Sequence, residues 1–129
     1  MDLKIHHYNS ISVAEIVKAG SLISDTDEIV DAMANAQYHN AGGLIVRKEL
    51  LHDNFFDLKT GLAGEILQKF SNYRMRLAVI GDFSKYKSKS LKDFIRESNT
   101  MGRVVFVPTF EDAIEKLCGV KWGVDKLKG

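Results

Sequence analysis

The sequence has one cysteine, no excess of charge of one sign and no long apolar run, and each of these absences excludes a class of protein. Cys118 has no partner for an intrachain disulfide, and a single thiol fits a reducing compartment. The 18 basic and 17 acidic residues give a net charge of +1, without the basic excess of strong nucleic-acid binders. No apolar run approaches the roughly 20 residues that span a bilayer, and the N-terminus lacks the apolar segment of a secretory signal. We therefore expect a cytoplasmic protein that binds neither nucleic acid nor membrane.

The chain contains enough apolar sequence for one folded domain. Hydrophobic residues make up 45% and charged residues 27% of 129 positions, which is typical of a globular domain rather than a disordered segment. We expect a single domain over residues 1–118. The remaining residues, 119–129, form a C-terminal tail whose one clear feature is Trp122, which we expect to pack back on the domain.

Five segments have the composition of β-strands. The first two are joined by Asn9-Ser10, a plausible hairpin turn. The most strongly indicated is "MRLAVIG", a short apolar run bounded by charge and glycine, as in a buried parallel strand. The last is stopped by Pro108, which cannot donate to a sheet. The five segments are "LKIHHY", "ISVAEIV", "LIV" at 44–46, "MRLAVIG" and "RVVFV".

Four segments have apolar residues at helical spacing, each opening with a residue suited to a helix start. In the second, Ala63, Ile66, Leu67 and Phe70 share one face. We expect the first helix to open at Ser24 with Asp27 and end at Gly42-Gly43, the second to run from Gly61 to Ser71, the third to open at Ser90 with Asp93, and the last at Thr109 with Asp112.

The resulting β-β-α-β-α-β-α-β-α order predicts an α/β fold with a mixed sheet of about five strands, whose initial hairpin adds an antiparallel edge. Ligands of open α/β sheets bind at the carboxyl ends of the strands, where we expect the loops at 48–60 and 82–90 to meet. An exposed sheet edge invites pairing, so we also expect a homodimer.

The first candidate site is the turn "DLKTGLAG", with Asp57, Lys59, Thr60 and Gly61. Free N–H groups at a helix start, a lysine and a hydroxyl suit an anion. Alternatively, Asp57 or Thr60 caps the helix while Gly64 packs closely against a strand, and the pattern favours this structural role. We expect Phe55 and Phe56 to be extended, with side chains on opposite faces, and Asp57 to end that strand.

The second candidate site is the lysine-rich loop "GDFSKYKSKSLKDF". It is suited to clasp a phosphate or an acidic partner segment, with Tyr86 as a stacking face. The alternative, which we favour, is a solvated turn that leads into a capped helix. The candidate residues are Asp82, Ser84, Lys85, Tyr86, Ser88 and Lys89, with Lys87 and Lys92 adding charge.

The remaining reactive residue types indicate no catalytic or metal site. His6 and His7 are neighbours on a strand and point to opposite faces, and no spacing of histidines and cysteine is typical of metal ligands. Cys118 is expected to be a packing residue. We therefore expect no metal, no cofactor and no catalytic residue.

The stretch from Phe55 to Asn99, "FFDLKTGLAGEILQKFSNYRMRLAVIGDFSKYKSKSLKDFIRESN", resembles the core of a microbial family called domain of unknown function 4180, and the resemblance covers nearly the whole chain. It implies a small cytoplasmic α/β protein and brings no assigned activity. The element order is more distantly similar to STAS domains, the fold of anti-sigma-factor antagonists, as are "RLAVIGDFSKY" and "FVPTFEDAIEKL". That likeness implies roles for Phe56, Asp57, Thr60 and Gly61 at the phosphorylated turn, although Leu58 and Lys59 lengthen the turn and Thr60 replaces the more usual serine.

Two functional hypotheses follow. The first, which we favour, is a regulatory or protein-binding module acting through the 55–61 turn and the 82–90 loop. The second is a small enzyme or nucleotide- or phosphate-binding protein that uses Lys59, Thr60 and the lysine-rich loop. No general acid or base in the sequence favours the enzyme.

Overall fold

The computed structural model describes residues 2–122, which form one α/β domain with a five-stranded mixed sheet and four helices. The predicted element order is confirmed. Three short 3₁₀ turns, at 48–50, 53–56 and 58–60, connect the third strand to the second helix. The strands are β1 (Asp2–Tyr8), β2 (Ile11–Lys18), β3 (Gly43–Arg47), β4 (Arg76–Ile80) and β5 (Val104–Val107), and the helices are α1 (Thr26–Tyr38), α2 (Leu62–Asn72), α3 (Lys89–Met101) and α4 (Phe110–Cys118).

The strands lie in the sheet in the order in which they occur in the chain. β1 and β2 are antiparallel, and β2 to β5 are parallel. Asn9 and Ser10 have φ angles of 54° and 63°, and Tyr8 pairs with Ile11. The predicted hairpin is therefore a two-residue turn of type I′, which matches the twist of the strands it joins.

The two faces of the sheet are covered by different helices. Each parallel connection steps in the same direction, and right-handed connections of this kind place their helices on one face. Side chains of α1, α2 and α3 accordingly pack in one apolar cluster, whereas α4, which follows the last strand, packs in a second cluster on the other face. In β4, Leu77 and Val79 face the first cluster, and Ala78 and Ile80 face the second. The predicted buried strand is confirmed.

The start and end of α1 differ from the predicted ones. Oδ1 of Asp25, rather than a Ser24 hydroxyl, accepts from the N–H of Glu28 at 3.0 Å. The N-cap is thus one residue later than predicted. The Glu28 side chain reaches back to the N–H of Ser24, the residue before the cap, rather than to the N–H of the cap itself as in the reciprocal pattern. The helix ends at Tyr38 because Asn40 turns the chain with a φ of 60°, not at Gly42-Gly43.

The starts of α3 and α4 were predicted with different success. The hydroxyl of Ser88, not Ser90, accepts from the N–H of Leu91 at 3.2 Å and caps α3. The predicted start at Ser90 is therefore wrong, and the cap lies two residues earlier. Thr109 caps α4 as predicted, since its hydroxyl accepts from the N–H of Asp112 at 3.1 Å.

The beginning of the predicted tail packs on the domain. The indole N–H of Trp122 donates to the carbonyl oxygen of Glu111 at 2.9 Å, and its ring lies 5.9 Å from that of Tyr8. Residues 123–129 lie outside the described residues. Between residues 2 and 122, no helix is both long and apolar enough to cross a membrane.

Candidate functional site

The segment that carries Phe55 and Phe56 is a 3₁₀ turn, Asp53–Phe56, and the predicted extended strand ending at Asp57 is wrong. The turn opens at His52, whose Nδ1 accepts from the N–H of Asn54 at 3.0 Å. In a 3₁₀ turn, neighbouring side chains do not alternate between opposite faces as they do in a strand. Both phenylalanines are therefore buried, with 2% and 8% of their surface exposed.

Thr60 holds the next turn together. Its hydroxyl lies 2.6 Å from the carbonyl oxygen of Asn54 and 2.9 Å from that of Asp57, and it accepts from the N–H of Leu62 at 3.3 Å. The hydroxyl is thus engaged within the turn. The predicted cap is not formed at the N-cap position of α2, which is Gly61 and has no side-chain cap, because Thr60 lies one residue before it. All three partners of this hydroxyl are backbone groups of the protein. The anion-binding role of Thr60 stays a prediction.

The other residues of the first candidate site also have structural partners. Oδ1 of Asp57 accepts from the N–H of Lys59 at 3.1 Å. Gly61 adopts a φ of 79°, a conformation that glycine favours, immediately before α2. Gly64 is exposed, with no atom within 4 Å of the position of an added Cβ. The predicted close packing of Gly64 against a strand is wrong.

The lysine-rich loop begins with a local turn after β4. Oδ1 of Asp82 accepts from the N–H of Ser84 at 3.0 Å and from its hydroxyl at 2.6 Å. These bonds, above all the one from the hydroxyl, hold the pKa of Asp82 below its ordinary value, and the charges of Lys48 and Lys85 add to the effect. The start of the loop is therefore an ordered turn.

Lys48 joins this loop to the end of β3. Arg47 pairs with Ile80 across the two parallel strands, so the next residues, Lys48 and Gly81, lie side by side. A Cβ on Gly81 would lie 2.7 Å from Cβ of Lys48. Since glycine leaves this space free, the lysine side chain crosses the end of β4, and its ammonium group lies 4.9 Å from the centroid of the Tyr86 ring.

Aromatic rings anchor the loop to the core. The Tyr86 ring stacks on Phe56 with centroids 5.0 Å apart and an interplanar angle of 17°. Phe83 lies 6.0 Å from Phe56 and 5.4 Å from Phe106 of β5. The prediction that the loops at 48–60 and 82–90 meet at one edge is confirmed. The favoured alternative, a solvated turn that leads into a capped helix, agrees with the cap of α3 by Ser88 but not with Phe83 and Tyr86, which pack on the core.

The two loops enclose a cavity of about 420 Å³ at the carboxyl edge of the sheet, which we call the edge site. Leu22 reaches it because Ile23 donates to the carbonyl oxygen of Leu50 and accepts from the N–H of His52, each at 2.8 Å. The edge site combines apolar side chains with charges of both signs. It is lined by Leu22, Lys48, Glu49, Leu51, Asp53, Phe56, Lys85 and Tyr86.

The ionisation of Tyr86, a polar group of the edge site, is affected by its surroundings. Burial raises the pKa of its phenol, and the carboxylates of Asp53 and Glu49 act in the same direction, whereas Lys85 opposes them. The phenol therefore stays protonated at neutral pH. It can donate a hydrogen bond to a bound group.

The structure brings only some of the predicted site residues to the edge site. Lys85 and Tyr86 line the edge site, and Asp82 adjoins it because its carbonyl oxygen lies 3.4 Å from Nζ of Lys48. Ser88 and Lys89 belong to the start of α3, where Ser88 caps the helix and Nζ of Lys89 lies 3.9 Å from Asp93. The predicted residues that do not line the edge site are Asp57, Lys59, Thr60, Gly61, Asp82, Ser84, Ser88 and Lys89.

The sequence analysis did not place Lys48, Glu49 or Asp53 among the candidate residues. A signal was available, because Lys48 and Glu49 follow a buried parallel strand directly, at the position where α/β folds place ligand-binding groups. Leu22 and Leu51 carried no such signal, since only the pairing of Ile23 with Leu51 brings them to this edge.

No group of three or more potential metal ligands occurs among residues 2–122. Cys118 is buried against α4's face of the sheet, with 1% of its surface exposed. Burial raises the pKa of its thiol. This is the environment of the predicted packing residue.

The model of the family described as domain of unknown function (DUF4180) matches residues 8–117. The chain belongs to this family. The DUF4180 match extends from the end of β1 to the last turn of α4, so it includes every residue of the edge site. The chain has no significant match to a curated protein or to a solved structure.

Proposed function

We propose that this DUF4180 protein is a recognition module that binds a segment of a partner protein at the edge site. The observation that carries the proposal is the stack in which Lys48 lies over Tyr86 and Tyr86 lies on Phe56. A cation held against an aromatic pair, at the edge where α/β folds bind ligands, is already arranged for contact.

The chemistry of the lining defines the partner segment. Lys48 and Lys85 suit a carboxylate, and the apolar side chains of Leu22, Leu51 and Phe56 suit an aliphatic or aromatic side chain. The segment we infer therefore carries an acidic residue close to an apolar one. Because packing already orders Phe56 and Tyr86, binding costs little side-chain entropy.

The lining supports recognition rather than catalysis. The described residues that line the edge site include no serine, threonine, cysteine or histidine. The Tyr86 phenol is protonated at neutral pH, as an ordinary tyrosine is, and burial raises its pKa further, so it is available as a hydrogen-bond donor.

The proposal is tested by selecting random short peptides displayed on phage against the immobilised protein. Enriched peptides should pair an acidic residue with an apolar one, and their synthetic forms should bind Tyr86→Ala at least about tenfold more weakly than the wild type. Tyr73→Ala is the matched control, since Tyr73 is a half-exposed tyrosine that does not line the edge site. No enrichment, or equal affinity for Tyr86→Ala, would overturn the proposal.

A small phosphorylated ligand is the second candidate. It is favoured by the presence of Lys48 and Lys85 in one cavity of about 420 Å³, a size within the roughly 300–1,000 Å³ of small-molecule sites. Orthophosphate, nucleotides and phosphosugars can be screened by thermal shift, since a ligand of the native state raises the melting temperature. A rise that Lys48→Met and Lys85→Met both abolish would replace the peptide proposal with this one.

A further inference from the structure

The two edge strands of the sheet differ in whether other parts of the chain bond their outward backbone groups. At the β5 edge, the amide of Asn99 on α3 accepts from the N–H of Phe106 at 2.7 Å and donates to its carbonyl oxygen at 3.3 Å. The hydroxyl of Ser98 donates to the carbonyl oxygen of Val104. These backbone groups alternate with those of Arg103 and Val107, which bond to β4. Helix α3 therefore blocks the addition of another strand at β5.

The β1 edge has no such cover within residues 2–122. Tyr8 and Ile11 flank a two-residue turn and so form a hydrogen-bonded pair. The next pair, His7 and Ser12, points its backbone groups away from the hairpin, as the bond from Gly42 N–H to the Ser12 carbonyl oxygen at 2.9 Å shows.

By the same alternation, the backbone groups of Leu3, Ile5 and His7 point outward from the sheet. No described residue bonds to them. β1 is also seven residues long and contains no proline, and its register shift lies at Asp2/Leu3, at one end of the strand. An edge of this kind is a template for one more strand.

We propose that β1 pairs antiparallel with β1 of a second copy of this chain, with the twofold axis beside Ile5. In this register the two Ile5 residues face each other, and Leu3 of each copy faces His7 of the other. Each of the three pairs exchanges two hydrogen bonds, about six in all. The two sheets become one sheet, and the symmetry makes the same surface serve both copies. This inference is independent of the function proposed for the edge site.

The charges of β1 favour this register over its neighbours. A shift that centres the axis beside Lys4 would place Lys4 opposite Lys4 of the second copy, and like charges directly opposite are destabilising. A shift that centres it beside His6 would leave Asp2 and Leu3 without partners. The Ile5 register pairs the whole strand and covers an isoleucine that is 40% exposed.

An exposed aromatic residue flanks the same edge. Tyr38, at the end of α1, is 84% exposed, and its ring lies 5.2 Å from that of His39. His39 and Leu3 line one recess, so Tyr38 stands close to the β1 edge. Tyrosine is among the residues most enriched at the energetic centres of interfaces.

The dimer is tested by measuring mass by light scattering from low to high micromolar concentration. The wild type should reach the dimer mass. Ile5→Pro removes an outward N–H and leaves the bonds of β1 to β2 in place, and Ile5→Lys brings two positive charges together at the axis. Both variants should remain monomeric at concentrations at least tenfold above the wild-type midpoint.

Val17→Lys is the matched control, because Val17 is 46% exposed but lies on β2, and this variant should dimerise normally. Circular dichroism establishes whether each variant is folded. If Ile5→Pro does not fold, the comparison rests on Ile5→Lys. A wild type that stays monomeric throughout would overturn the proposal. So would a dimer that survives both Ile5 variants, since a different surface, residues 123–129 included, would then form it.

Disulfide trapping tests the register. Under mild oxidation, Ile5→Cys should form a covalent dimer, because the two Cβ atoms are neighbours in the proposed pairing. His7→Cys, on the same face of the same strand, should not, because it faces Leu3 of the second copy. Cys118 is buried and contributes no background. Trapping at His7 without trapping at Ile5 would overturn the register.

Discussion

The ammonium group of Lys48 lies 4.9 Å from the centroid of the Tyr86 ring. Lys48 is the first residue after the third strand, and Tyr86 belongs to the loop after the fourth strand. Their contact therefore holds two loops of the sheet edge together. The contact depends on Gly81, which leaves room for the lysine stem.

Gly81→Ala should disturb this contact. The new Cβ would lie 2.7 Å from Cβ and 2.9 Å from Cδ of Lys48, so the lysine or the backbone must move. We expect the free energy of unfolding to fall by about 1–3 kcal/mol, and the ring signals of Tyr86 to shift in the NMR spectrum. Both are measured on the purified variant, by denaturant unfolding and by NMR.

Gly64→Ala is the control for that variant. No atom lies within 4 Å of the new Cβ, and alanine is the better helix former by up to about 1 kcal/mol. Gly64→Ala should therefore be neutral or stabilising. Equal loss of stability in both glycine variants would show that the space at Gly81 is not what matters.

Thr60→Ala should lower the free energy of unfolding by about 1 kcal/mol, because it removes the hydroxyl that bonds the carbonyl oxygens of the turn and accepts from the N–H of Leu62 at the start of α2. Thr60→Ser keeps the hydroxyl and should be nearly neutral. Denaturant unfolding of both variants measures the difference. Unchanged stability in Thr60→Ala would contradict a structural role for the hydroxyl and leave the predicted ligand role as the better account.

The carboxyl group of Asp82 should titrate below the ordinary range of an aspartate, because Ser84 donates two hydrogen bonds to it. A carboxyl whose folded pKa is lowered stabilises the protein above its unfolded pKa, and this contribution is lost as the pH falls through the folded pKa. Ser84→Ala should raise the pKa of Asp82, and Ser90→Ala should leave it unchanged. NMR titration of the side-chain carboxyl measures the pKa of Asp82 in the wild type and in both variants. An Asp82 pKa that Ser84→Ala leaves unchanged would contradict the role of the Ser84 hydrogen bonds.

Val79→Asp should lower stability by several kcal/mol, because Val79 is fully buried in the first apolar cluster and the new carboxylate would have no partner or water. Val17→Asp, at a half-exposed position, should cost far less. Melting temperatures of the two variants give the comparison. A native melting temperature for Val79→Asp would contradict the buried position of β4.

The sequence was sufficient for the order of strands and helices, because apolar runs such as Leu77–Ile80 and capping residues such as Thr109 act locally. It was not sufficient for Phe55 and Phe56, since two adjacent apolar residues fit a strand or a 3₁₀ turn equally well. Which of two nearby serines, Ser88 or Ser90, caps α3 was equally undetermined by spacing.

The edge site could be located only from the register of the sheet. Lys48 meets Gly81 and Tyr86 only because Arg47 pairs with Ile80, and the sequence carries no signal for that pairing. The lysine-rich loop contributes to the edge site only through the residues that turn inward. Lys85 and Tyr86 line the edge site, whereas Ser88 and Lys89 belong to the start of α3.

The most direct test of the proposed recognition role is an NMR titration of the ¹⁵N-labelled protein with the tightest peptide from the phage selection. The account predicts that the amide signals of residues 48–56 and 82–86 move in proportion to occupancy, together with the ring signals of Phe56 and Tyr86. Signals of β1 and of the exposed face of α2 should stay in place. Binding that moves those signals instead, with the 48–56 and 82–86 signals unchanged, would contradict the assignment of the edge site as the recognition surface.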